Sequence, residues 1–400
     1  MKITLDATPI GVRTTDKGGV VRYISQLIAA LAEIGSSHRF RLLFNFCRSE
    51  HLAAFEEARR ALESPQFEVV RSRVPSALWL KGVVPAELAA GRCDLFHGLY
   101  DFVPPVLLGA SVLTIHDLRY ISIDGATDPS VMRLVQSSPQ LLASYKQRLD
   151  FFRRQRAIIH NVARRARLII TPSEFSRAAI VNTLGVPAHR VQVIAHGVPE
   201  ELRIPASREF VAQVLQRHAI GKPYLLFVGK MDPLKNIELL LRAFALIRQH
   251  AGMQLVLTGP SSWYEAVLRQ RVEELGIVGE VSFLGHVSDA ELKALYSAAK
   301  VMVFPSLFEG FGLPVLEAMA CGTPVVCSNH CSLPEVAADA ALLVDPTSAE
   351  TLARRVLDVW GDGDLSDRLR RAGLQRSSEF SWHETARRHL LAYEQAATVT

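Results

Sequence analysis

The chain has 400 residues, of which 49% are hydrophobic and 21% charged. This length exceeds what one hydrophobic core usually organises and predicts two well-packed domains of somewhat under 200 residues each. The composition excludes fibrous and low-complexity classes. The longest uncharged apolar stretch, Phe102–Ile115, carries Pro104 and Pro105 and is shorter than a membrane span, which argues against a transmembrane helix.

The cysteine pattern and the N-terminus favour a cytosolic protein. The five cysteines are odd in number and lie mainly in apolar segments, which is typical of reduced thiols. The acid Asp6 interrupts the first residues, where a secretory signal needs apolar side chains. The group formed by Cys321, Cys327 and Cys331 beside His330 lacks the paired short spacings of zinc sites, so packing is the favoured interpretation.

Positive charge is concentrated in the first half. Residues 1–200 carry 25 Lys and Arg against 17 Asp and Glu, net +8, whereas residues 201–400 carry 20 against 23, net −3. Nine basic residues and one acid lie in Arg133–Arg167, with helix-like apolar spacing around Leu149, Phe152, Ile158 and Ile159. This segment predicts a solvated helix face or peripheral contact with an anionic membrane. Aromatic residues of the stacking kind are sparse in it, so nucleic acid is the least favoured partner.

The first half alternates short apolar runs with helical segments. The predicted strands are Ile3–Asp6, Arg41–Phe46, Glu68–Val70, Asp94–His97, Val112–Ile115, Leu168–Thr171 and Val191–Ile194. This alternation predicts a parallel sheet with helices on both faces. Ligands of such sheets bind outside the carboxyl ends of the strands.

Two glycines follow the first strand. Gly18 and Gly19 end the polar loop Thr8–Gly19, just before an amphipathic helix around Ile24–Leu31. They indicate either close approach of the backbone to a ligand phosphate or a flexible turn. The dinucleotide-binding and P-loop glycine signatures are missing from the sequence, so neither of those sites is supported.

Polar residues follow several strands at the edge where ligands bind. His116 and Asp117 come directly after Val112–Ile115 and predict either a ligand contact or a strand-ending Asx turn. His97 lies in the same kind of place at the end of its strand. Ser173 is predicted to cap the following helix.

The pattern restarts after the segment His196–Ser207, which is the predicted linker. Residues 1–200 and 201–380 are the predicted domains, and the amphipathic C-terminal segment 382–397 is expected to cross back to the first. The second set of strands is Tyr224–Val228, Gln254–Thr258, Val281–Leu284, Val301–Phe304, Pro324–Cys327 and Ala341–Val344. Helices are expected near Ile237–His250, Tyr264–Leu275, Asp289–Ser297 and Ala349–Val359.

The run Gly229-Lys230-Met-Asp-Pro-Leu-Lys235-Asn236 follows the strand Tyr224–Val228, and Asn236 is the predicted cap of the next helix. A lysine at a helix N-terminus opposes the positive end of the helix dipole. An anionic ligand would relieve that conflict, so Lys235 is a candidate phosphate contact, with a solvated lysine as the alternative.

The stretch Phe304–Val326 runs from an apolar strand through a glycine-rich turn into a short helix and a second strand. Pro314 predicts the helix start and Gly322 its end. The turn is either an anion cradle or an ordinary connection between a strand and a helix. Glu309 and Glu317 bracket it, and ionised glutamates accept hydrogen bonds from sugar hydroxyls. A nucleotide sugar carries both phosphate and hydroxyl groups.

Together these motifs resemble those of retaining glycosyltransferases of family 4, over essentially the whole chain. Glu309–Glu317 resembles the family's E-x7-E signature, and Gly229–Asn236 resembles its G-R-x4-K-N run. The N-terminal motifs, which are GGVVRY from Gly18, His116-Asp117 and TPSEFS from Thr171, resemble those of bacterial mannosyltransferases of polysaccharide assembly. The resemblance implies a GT-B fold, in which two Rossmann-like doubly wound α/β domains face each other across a donor and acceptor cleft.

Family roles then fall on matching positions. The resemblance implies that Lys235 and Lys230 neutralise the donor diphosphate, that Glu309 and His116 face the transferred sugar, and that Glu317 binds ribose hydroxyls. The implied donor-binding set also includes Gly18, Gly19, Gly229, Gly310, Phe311, Gly312 and Leu313. Asp117 and His97 would lie on the acceptor side. Lys230 departs from the family's usual Arg, because it keeps the charge but lacks the bidentate fork.

The implied reaction moves a hexose from a nucleotide sugar to a saccharide or a lipid-linked saccharide, with retention of configuration. GDP-mannose is the preferred donor and a UDP-hexose the alternative; the chain could also be a non-catalytic nucleotide-sugar-binding protein or a phosphorylase. The resemblance implies neither a metal nor another cofactor. The triplet Asp362-Gly363-Asp364 is expected in a loop and disfavoured as a metal site. A cytoplasmic location is expected, at the inner face of the membrane if the basic segment binds lipid.

Overall fold

A computed structural model describes residues 1–8, 18–34, 37–45, 63–72, 74, 78–87, 89–90, 93–100, 110–119, 154–248 and 252–398. The chain forms two compact units, one from Met1–Gly197 with Ser381–Thr400 and the other from Val198–Phe380. Each unit has its own parallel sheet and its own helices. The passage from the first unit to the second lies within the segment His196–Ser207.

The first unit contains a parallel sheet of seven strands. They are β1 (Lys2–Asp6), β2 (Arg39–Asn45), β3 (Phe67–Ser72), β4 (Leu95–Gly98), β5 (Ala110–Thr114), β6 (Leu168–Thr171) and β7 (Val191–Val193). Every strand predicted in this half is confirmed. The spatial order is β3-β2-β1-β4-β5-β6-β7, so the winding reverses between β1 and β4.

Both faces of this sheet are covered, because successive residues of a strand point to opposite sides. Leu42 packs in one apolar cluster and its neighbour Leu43 in another, and Val112 and Leu113 are divided in the same way. The covering elements are α1 (Gly19–Ile34), α2 (residues 154–165), α3 (Glu174–Leu184) and the short helical turns Trp79–Val83 and Val84–Glu87. Ser173 caps α3 as predicted, since its Oγ accepts a hydrogen bond from the Ser176 N–H at 3.1 Å.

Helix α2 lies in the last part of the basic segment Arg133–Arg167. Ile159 and Val162 are buried against the sheet, but Ile158 is 46% exposed. The apolar face therefore follows residues 159, 162, 163 and 166, and placing Ile158 on it was wrong. Residues 133–153 of the segment and Cys47 lie outside the described residues.

The second unit contains a parallel sheet of six strands with the order β10-β9-β8-β11-β12-β13. They are β8 (Tyr224–Val228), β9 (Gln254–Thr258), β10 (Val281–Gly285), β11 (Val301–Phe304), β12 (Val325–Ser328) and β13 (Leu342–Val344). All six were predicted. The winding reverses between β8 and β11, in the same pattern as in the first unit.

Eight helices of five or more residues surround this second sheet in the described ranges. They are α4 (Arg208–Arg217), α5 (Ile237–Ile247), α6 (Tyr264–Glu274), α7 (Asp289–Ala298), α8 (Leu313–Ala320), α9 (Leu333–Ala337), α10 (Ala349–Gly361) and α11 (Gly363–Ser378). The expectation that the Asp362–Asp364 triplet forms a loop was wrong. Asp362 caps α11 by accepting a hydrogen bond from the Leu365 N–H at 3.0 Å, and Gly363 and Asp364 are its first residues.

The last helix, α12 (Trp382–Thr398), belongs to the first unit. Trp382 and Tyr393 pack in the same apolar cluster as α1 and the strands β1 and β5. The chain crosses itself closely where α12 begins, because a Cβ on Gly197 would lie 2.2 Å from the Trp382 nitrogen. Position 197 therefore admits only glycine, which the sequence alone did not indicate.

The described part of the chain bears on the predictions about cysteines, metal sites and transmembrane helices. Cys93, Cys321, Cys327 and Cys331 are free thiols. The described residues contain no group of three or more His, Cys, Asp or Glu placed to hold a metal ion. They also contain no helix with both the length and the apolar character needed to span a membrane.

A buried chain of hydrogen bonds ties α12 to the sheet and to α1. The Tyr393 hydroxyl lies 2.8 Å from His97 Nδ1, and His97 Nε2 lies 2.8 Å from Thr114 Oγ1. Thr114 Oγ1 lies 3.0 Å from the Tyr23 hydroxyl, which lies 3.0 Å from His389 Nε2. Each of these five side chains is at most 1% exposed.

The direction of every bond in this chain follows when His389, its last member, is neutral. His389 Nδ1 lies 2.8 Å from the Thr385 carbonyl oxygen, which can only accept, so Nδ1 carries the proton. His389 Nε2 must then accept from Tyr23, Tyr23 from Thr114, and Thr114 from His97 Nε2. His97 Nδ1 finally accepts from Tyr393. Neutral imidazoles at positions 97 and 389 therefore satisfy every donor and acceptor of this chain.

Burial keeps four histidines of the first unit neutral. It lowers the pKa of His116 and of His389 to about 4, with smaller opposing effects from backbone hydrogen bonds. Burial likewise lowers the pKa of His97 and His196, and neighbouring histidines lower both further. Since these residues bind protons more readily in the unfolded chain, near pH 6.5, folding of this unit weakens as the pH falls from 6.5 toward 4.

The variant His389→Gln tests this linkage. Wild-type protein should lose about 2 kcal/mol of unfolding free energy per buried histidine between roughly pH 7.5 and pH 5. His389→Gln should lose less over the same interval by about one such amount, although its stability at the higher pH is also reduced. Chemical denaturation at both pH values measures the difference. His189→Gln, at an exposed position of the same unit, is the control and should lose as much as wild type. An equal loss in His389→Gln would contradict the linkage.

Candidate functional site

The candidate ligand-binding edge of the second unit is where β8 and β11 lie side by side. The strand order reverses at this pair, so the loops that follow them diverge and leave a crevice at their carboxyl ends. The loop after β8 carries Gly229, Lys230 and Lys235, and the loop after β11 carries Glu309. Most candidate donor-binding residues of the sequence are therefore brought to one edge of one sheet.

The turn after β11 has a backbone that requires glycine. Gly312 precedes α8 with φ +106°, and a Cβ on it would lie 2.6 Å from Leu333 Cδ2. Pro314 lies in the first turn of α8, and Gly322, with φ +75°, ends the helix. The Gly322 and Thr323 N–H groups donate to the carbonyls of Met319 and Ala318, which is a Schellman motif. The predicted helix start and stop are confirmed.

Asn236 lies at the N-cap position of α5, as predicted, but its side chain contacts neighbouring loops instead of the helix. It precedes α5 in the left-handed conformation with φ 56°, and its side chain accepts no capping hydrogen bond. Its amide instead donates to the carbonyls of Pro305, at 3.1 Å, and Pro346, at 2.8 Å. The Leu307 N–H also donates to the Leu234 carbonyl at 2.8 Å. The predicted cap position is therefore confirmed, but the side chain forms no capping bond because its amide holds three loops together.

Lys235 forms an ion pair with Glu309. The distance from Lys235 Nζ to Glu309 Oε1 is 2.5 Å, and the two side chains are only 19% and 12% exposed. The Lys235 ammonium also lies 5.4 Å from the centroid of the Phe304 ring. The positive charge of Lys235, which opposes the helix dipole, is thus balanced by Glu309 in the structure. Lys230 lies exposed, directly after Gly229.

Glu317 is far less accessible than its partner in the E-x7-E pattern. It lies on α8, is 1% exposed and accepts a hydrogen bond at 3.1 Å from the Tyr296 hydroxyl. Tyr296 comes from α7 and is itself fully buried. Nothing in the sequence around position 296 indicated this contact, because it depends on how α7 and α8 pack.

Three neighbouring strands of the second sheet each end in glycine, a feature that the sequence analysis missed. Gly229 and Gly259 directly follow β8 and β9, and Gly285 ends β10. A Cβ on Gly259 would lie 2.1 Å from the Gly229 oxygen, so no side chain fits between these loops. The Gly229 and Gly259 N–H groups donate to the carbonyls of Thr258 and Gly285. The signal was present in the sequence, since each glycine closes an apolar run.

In the first unit, His116 follows β5 as predicted. Its Nε2 lies 3.2 Å from the Leu99 carbonyl oxygen, which can only accept, so Nε2 carries the proton and Nδ1 keeps its lone pair. Because burial lowers the pKa of His116 to about 4, the ring is neutral near pH 7. His116 can therefore accept a hydrogen bond from a ligand hydroxyl through Nδ1.

Asp117 is committed to its own turn. The Arg119 N–H donates to Asp117 Oδ1 at 3.0 Å, and Arg119 Nη2 lies 2.8 Å from Asp117 Oδ2. Burial raises the pKa of Asp117, but the charge and hydrogen bonds of Arg119 outweigh burial and lower it overall. Of the two possibilities that the sequence left open for Asp117, the structure shows the Asx turn.

His97 is not on a ligand-facing edge. It lies in β4, it is 0% exposed, and its two ring nitrogens are engaged by Tyr393 and Thr114. The expectation that His97 faces an acceptor is corrected. The reason is that its side chain points to the sheet face that α12 covers, and α12 comes nearly 300 residues later in the chain.

Gly19 is the first residue of α1, and Gly18 accepts a hydrogen bond from the Arg22 N–H at 3.2 Å. A Cβ on Gly19 would meet no heavy atom within 4 Å, so the space before this helix is open within the described residues. Residues 9–17 of the preceding loop lie outside those residues.

Two family models match consecutive parts of the chain. The model described as Glycosyltransferase Family 4 matches residues 17–202, and the model described as Glycosyl transferases group 1 matches residues 214–376. A relative, the O-antigen chain mannosyltransferase B of Escherichia coli, is 34% identical over 303 residues, which are 75% of this chain and 74% of the relative.

Solved structures show the same fold. Sucrose-phosphate synthase from Thermosynechococcus elongatus superimposes with a TM-score of 0.75 at 22% identity, over 99% of this chain and 98% of that one. Anabaena HepE, in complex with UDP and glucose, gives a TM-score of 0.73 at 18% identity, over 99% of this chain and 100% of that one. The chain therefore belongs to glycosyltransferase family 4 and is a transferase with the GT-B fold.

Proposed function

We propose that the protein is a retaining hexosyltransferase that uses a nucleotide sugar, with GDP-mannose as the preferred donor. The observation that carries this proposal is the Lys235–Glu309 pair at the crevice between β8 and β11. A half-buried lysine paired with a carboxylate can exchange that partner for a phosphate. The released carboxylate can then accept hydrogen bonds from sugar hydroxyls.

The second unit supplies the groups for a diphosphate leaving group. Lys235 and the exposed Lys230 bring positive charge, and the N-terminus of α8 adds the backbone N–H groups of Gly312 and Leu313. The bare edge formed by Gly229 and its neighbouring strand-ending glycine lets phosphate oxygens approach the backbone. These groups stabilise the negative charge that develops as the sugar–phosphate bond breaks.

The sugar is recognised by side chains that accept hydrogen bonds from its hydroxyls. In this proposal Glu309 accepts hydrogen bonds from sugar hydroxyls, and the neutral His116 accepts a hydrogen bond through Nδ1. Glu317, which accepts a hydrogen bond from Tyr296, binds the ribose hydroxyls when the donor is bound. Retention follows if the leaving diphosphate takes the proton of the attacking acceptor hydroxyl on the same face of the sugar. The lysines and the helix dipole act without a metal ion.

The donor preference is supported by the relatives that transfer mannose, among them the serotype-specific mannosyltransferase WbdA of Escherichia coli. The UDP complex of HepE keeps a UDP-hexose as the alternative donor. A saccharide or lipid-linked saccharide is the proposed acceptor. A nucleotide-sugar-binding protein without catalysis is the second candidate, and it predicts binding without release of nucleotide.

Exchange of partners at Lys235 predicts opposite effects of two variants on GDP affinity. Lys235→Ala should weaken GDP binding about tenfold or more, because a phosphate contact is lost. Glu309→Gln should strengthen it by about threefold to tenfold, because the carboxylate that competes for Lys235 is gone. Isothermal calorimetry measures both.

Matched controls separate this exchange from general changes in charge. The controls are Lys222→Ala and Glu209→Gln. Lys222 is exposed before β8, at the opposite edge of the sheet, and Glu209 is exposed on α4. Both should bind GDP as wild type does. Weaker GDP binding by Glu309→Gln would contradict competition between Glu309 and the phosphate for Lys235.

Catalysis is tested with purified protein, GDP-mannose and a saccharide acceptor. We expect release of GDP, an unchanged rate in EDTA and a product with the anomeric configuration of the donor, read by the anomeric proton signals in NMR. Glu309→Ala should abolish turnover. A parallel thermal-shift series with GDP-, UDP- and ADP-sugars ranks the donors, since ligand at 100 times its Kd adds about 2.7 kcal/mol of stability. Donor binding without nucleotide release would favour the non-catalytic alternative.

Contact with an anionic membrane is proposed for the basic segment. Helix α2 buries Ile159 and Val162 and exposes Arg154, Arg156, Arg164 and Arg165. The variant with Glu at these four positions should bind anionic vesicles about a thousandfold more weakly, because each of the four basic residues near the surface adds about 1 kcal/mol. Neutral vesicles are the control. Equal binding of both proteins to anionic vesicles would assign these arginines to a solvated face.

A further inference from the structure

We propose that Tyr23 is a positioning residue for His116, holding its imidazole in one place and in one tautomer. This inference rests on the proposed function, because His116 faces the transferred sugar there. Tyr23 itself is 1% exposed and lies in the middle of α1, so it reaches the reaction only through His116.

The contact between the two rings is direct. Their centroids are 4.7 Å apart and their planes form an angle of 80°, which is an edge-to-face arrangement. The Tyr23 ring also lies 4.8 Å from the His196 ring and 6.2 Å from the Trp382 ring. His116 therefore packs on a buried aromatic group that α1, α12 and the end of β7 build together.

The hydroxyl of Tyr23 prevents that ring from moving. With His389 neutral and protonated at Nδ1, the hydroxyl donates to His389 Nε2 and accepts from Thr114 Oγ1, each at 3.0 Å. A displacement of the ring would break both of these hydrogen bonds between buried groups. The tyrosine is therefore anchored at its far end to the sheet and to the C-terminal helix, while its ring meets His116.

The other restraints on His116 do not replace the ring. The Leu99 carbonyl accepts from Nε2, and the Ser176 hydroxyl donates to the His116 carbonyl at 3.3 Å. The first fixes one nitrogen and the second fixes the backbone. Without the Tyr23 ring, water would reach the imidazole, and Nδ1 could bind a proton.

Several polar and titratable groups surround His116. Asp117 and Arg119 belong to its own segment, with opposite charges that pair with each other. The Tyr100 ring lies 6.5 Å away and the His196 ring 5.6 Å away. His97 and His389 follow behind Tyr23, and both are neutral. Burial is the largest influence on the pKa of His116, so removing the group that buries it has a predictable direction.

The test uses protein labelled with 15N-histidine, with the His116 signals assigned from their loss in His116→Gln. Wild type should show the Nε2-protonated, neutral imidazole across neutral pH. In Tyr23→Leu, the His116 pKa should rise by about one unit or more, and both tautomers should appear. Tyr23→Phe keeps the ring and should restore the wild-type signals. Tyr23→Met fills a similar volume and serves in place of Tyr23→Leu if the latter does not fold.

Tyr393→Phe is the matched control, because it removes one hydroxyl from the other end of the same hydrogen-bond chain. It should leave the tautomer and the pKa of His116 as in wild type. In transfer assays, Tyr23→Leu should lower kcat about tenfold with unchanged GDP affinity, and the acid limb of the pH profile should move upward with the His116 pKa.

A folded Tyr23→Leu or Tyr23→Met protein with wild-type His116 signals would overturn the positioning role. Equal changes in Tyr393→Phe and Tyr23→Phe would also overturn it, since the hydroxyl chain and not the ring would then act. The NMR result is independent of turnover. Wild-type protein that shows the expected signals but transfers no sugar would refute the proposed function and leave the positioning role standing.

Discussion

A lysine that is only 19% exposed needs a negative partner, and the structure of the candidate site in the second unit follows from how Lys235 obtains one. Glu309 reaches it because the loops after β8 and β11 are held together by the Asn236 amide and by the bond from Leu307 to Leu234. Ser332 Oγ lies 3.0 Å from the Glu309 carbonyl and so holds the start of the glycine-rich turn. The pair is thus a fixed charge arrangement at the edge where parallel sheets bind ligands.

The two units contribute groups of different chemistry. The second unit contributes charge through its lysines and glutamates, on an edge that its glycines leave open. The first contributes neutral hydrogen-bonding groups, because burial removes the charge of His116 and of the histidines behind it. His389 of the C-terminal helix lies 3.0 Å from the hydroxyl of Tyr23, whose ring packs edge-to-face on His116.

Sequence reasoning succeeded where local signals decide the structure. All thirteen described strands were predicted from short apolar runs, and Pro314 and Gly322 marked both ends of α8. It failed where distant segments meet. The burial of His97 depends on α12, the Tyr296–Glu317 bond depends on the packing of α7 on α8, and the Asn236 amide finds carbonyls near residues 305 and 346. A residue type and its spacing do not encode such partners.

The central claim is that a nucleoside diphosphate takes Lys235 from Glu309. A crystal structure of the complex with GDP tests it most directly. The account predicts Lys235 Nζ within hydrogen-bonding distance of a β-phosphate oxygen, and the Glu309 carboxylate turned away from the ammonium group. A complex in which GDP is bound with the Lys235–Glu309 pair intact, or with its phosphates away from the edge between β8 and β11, would contradict it.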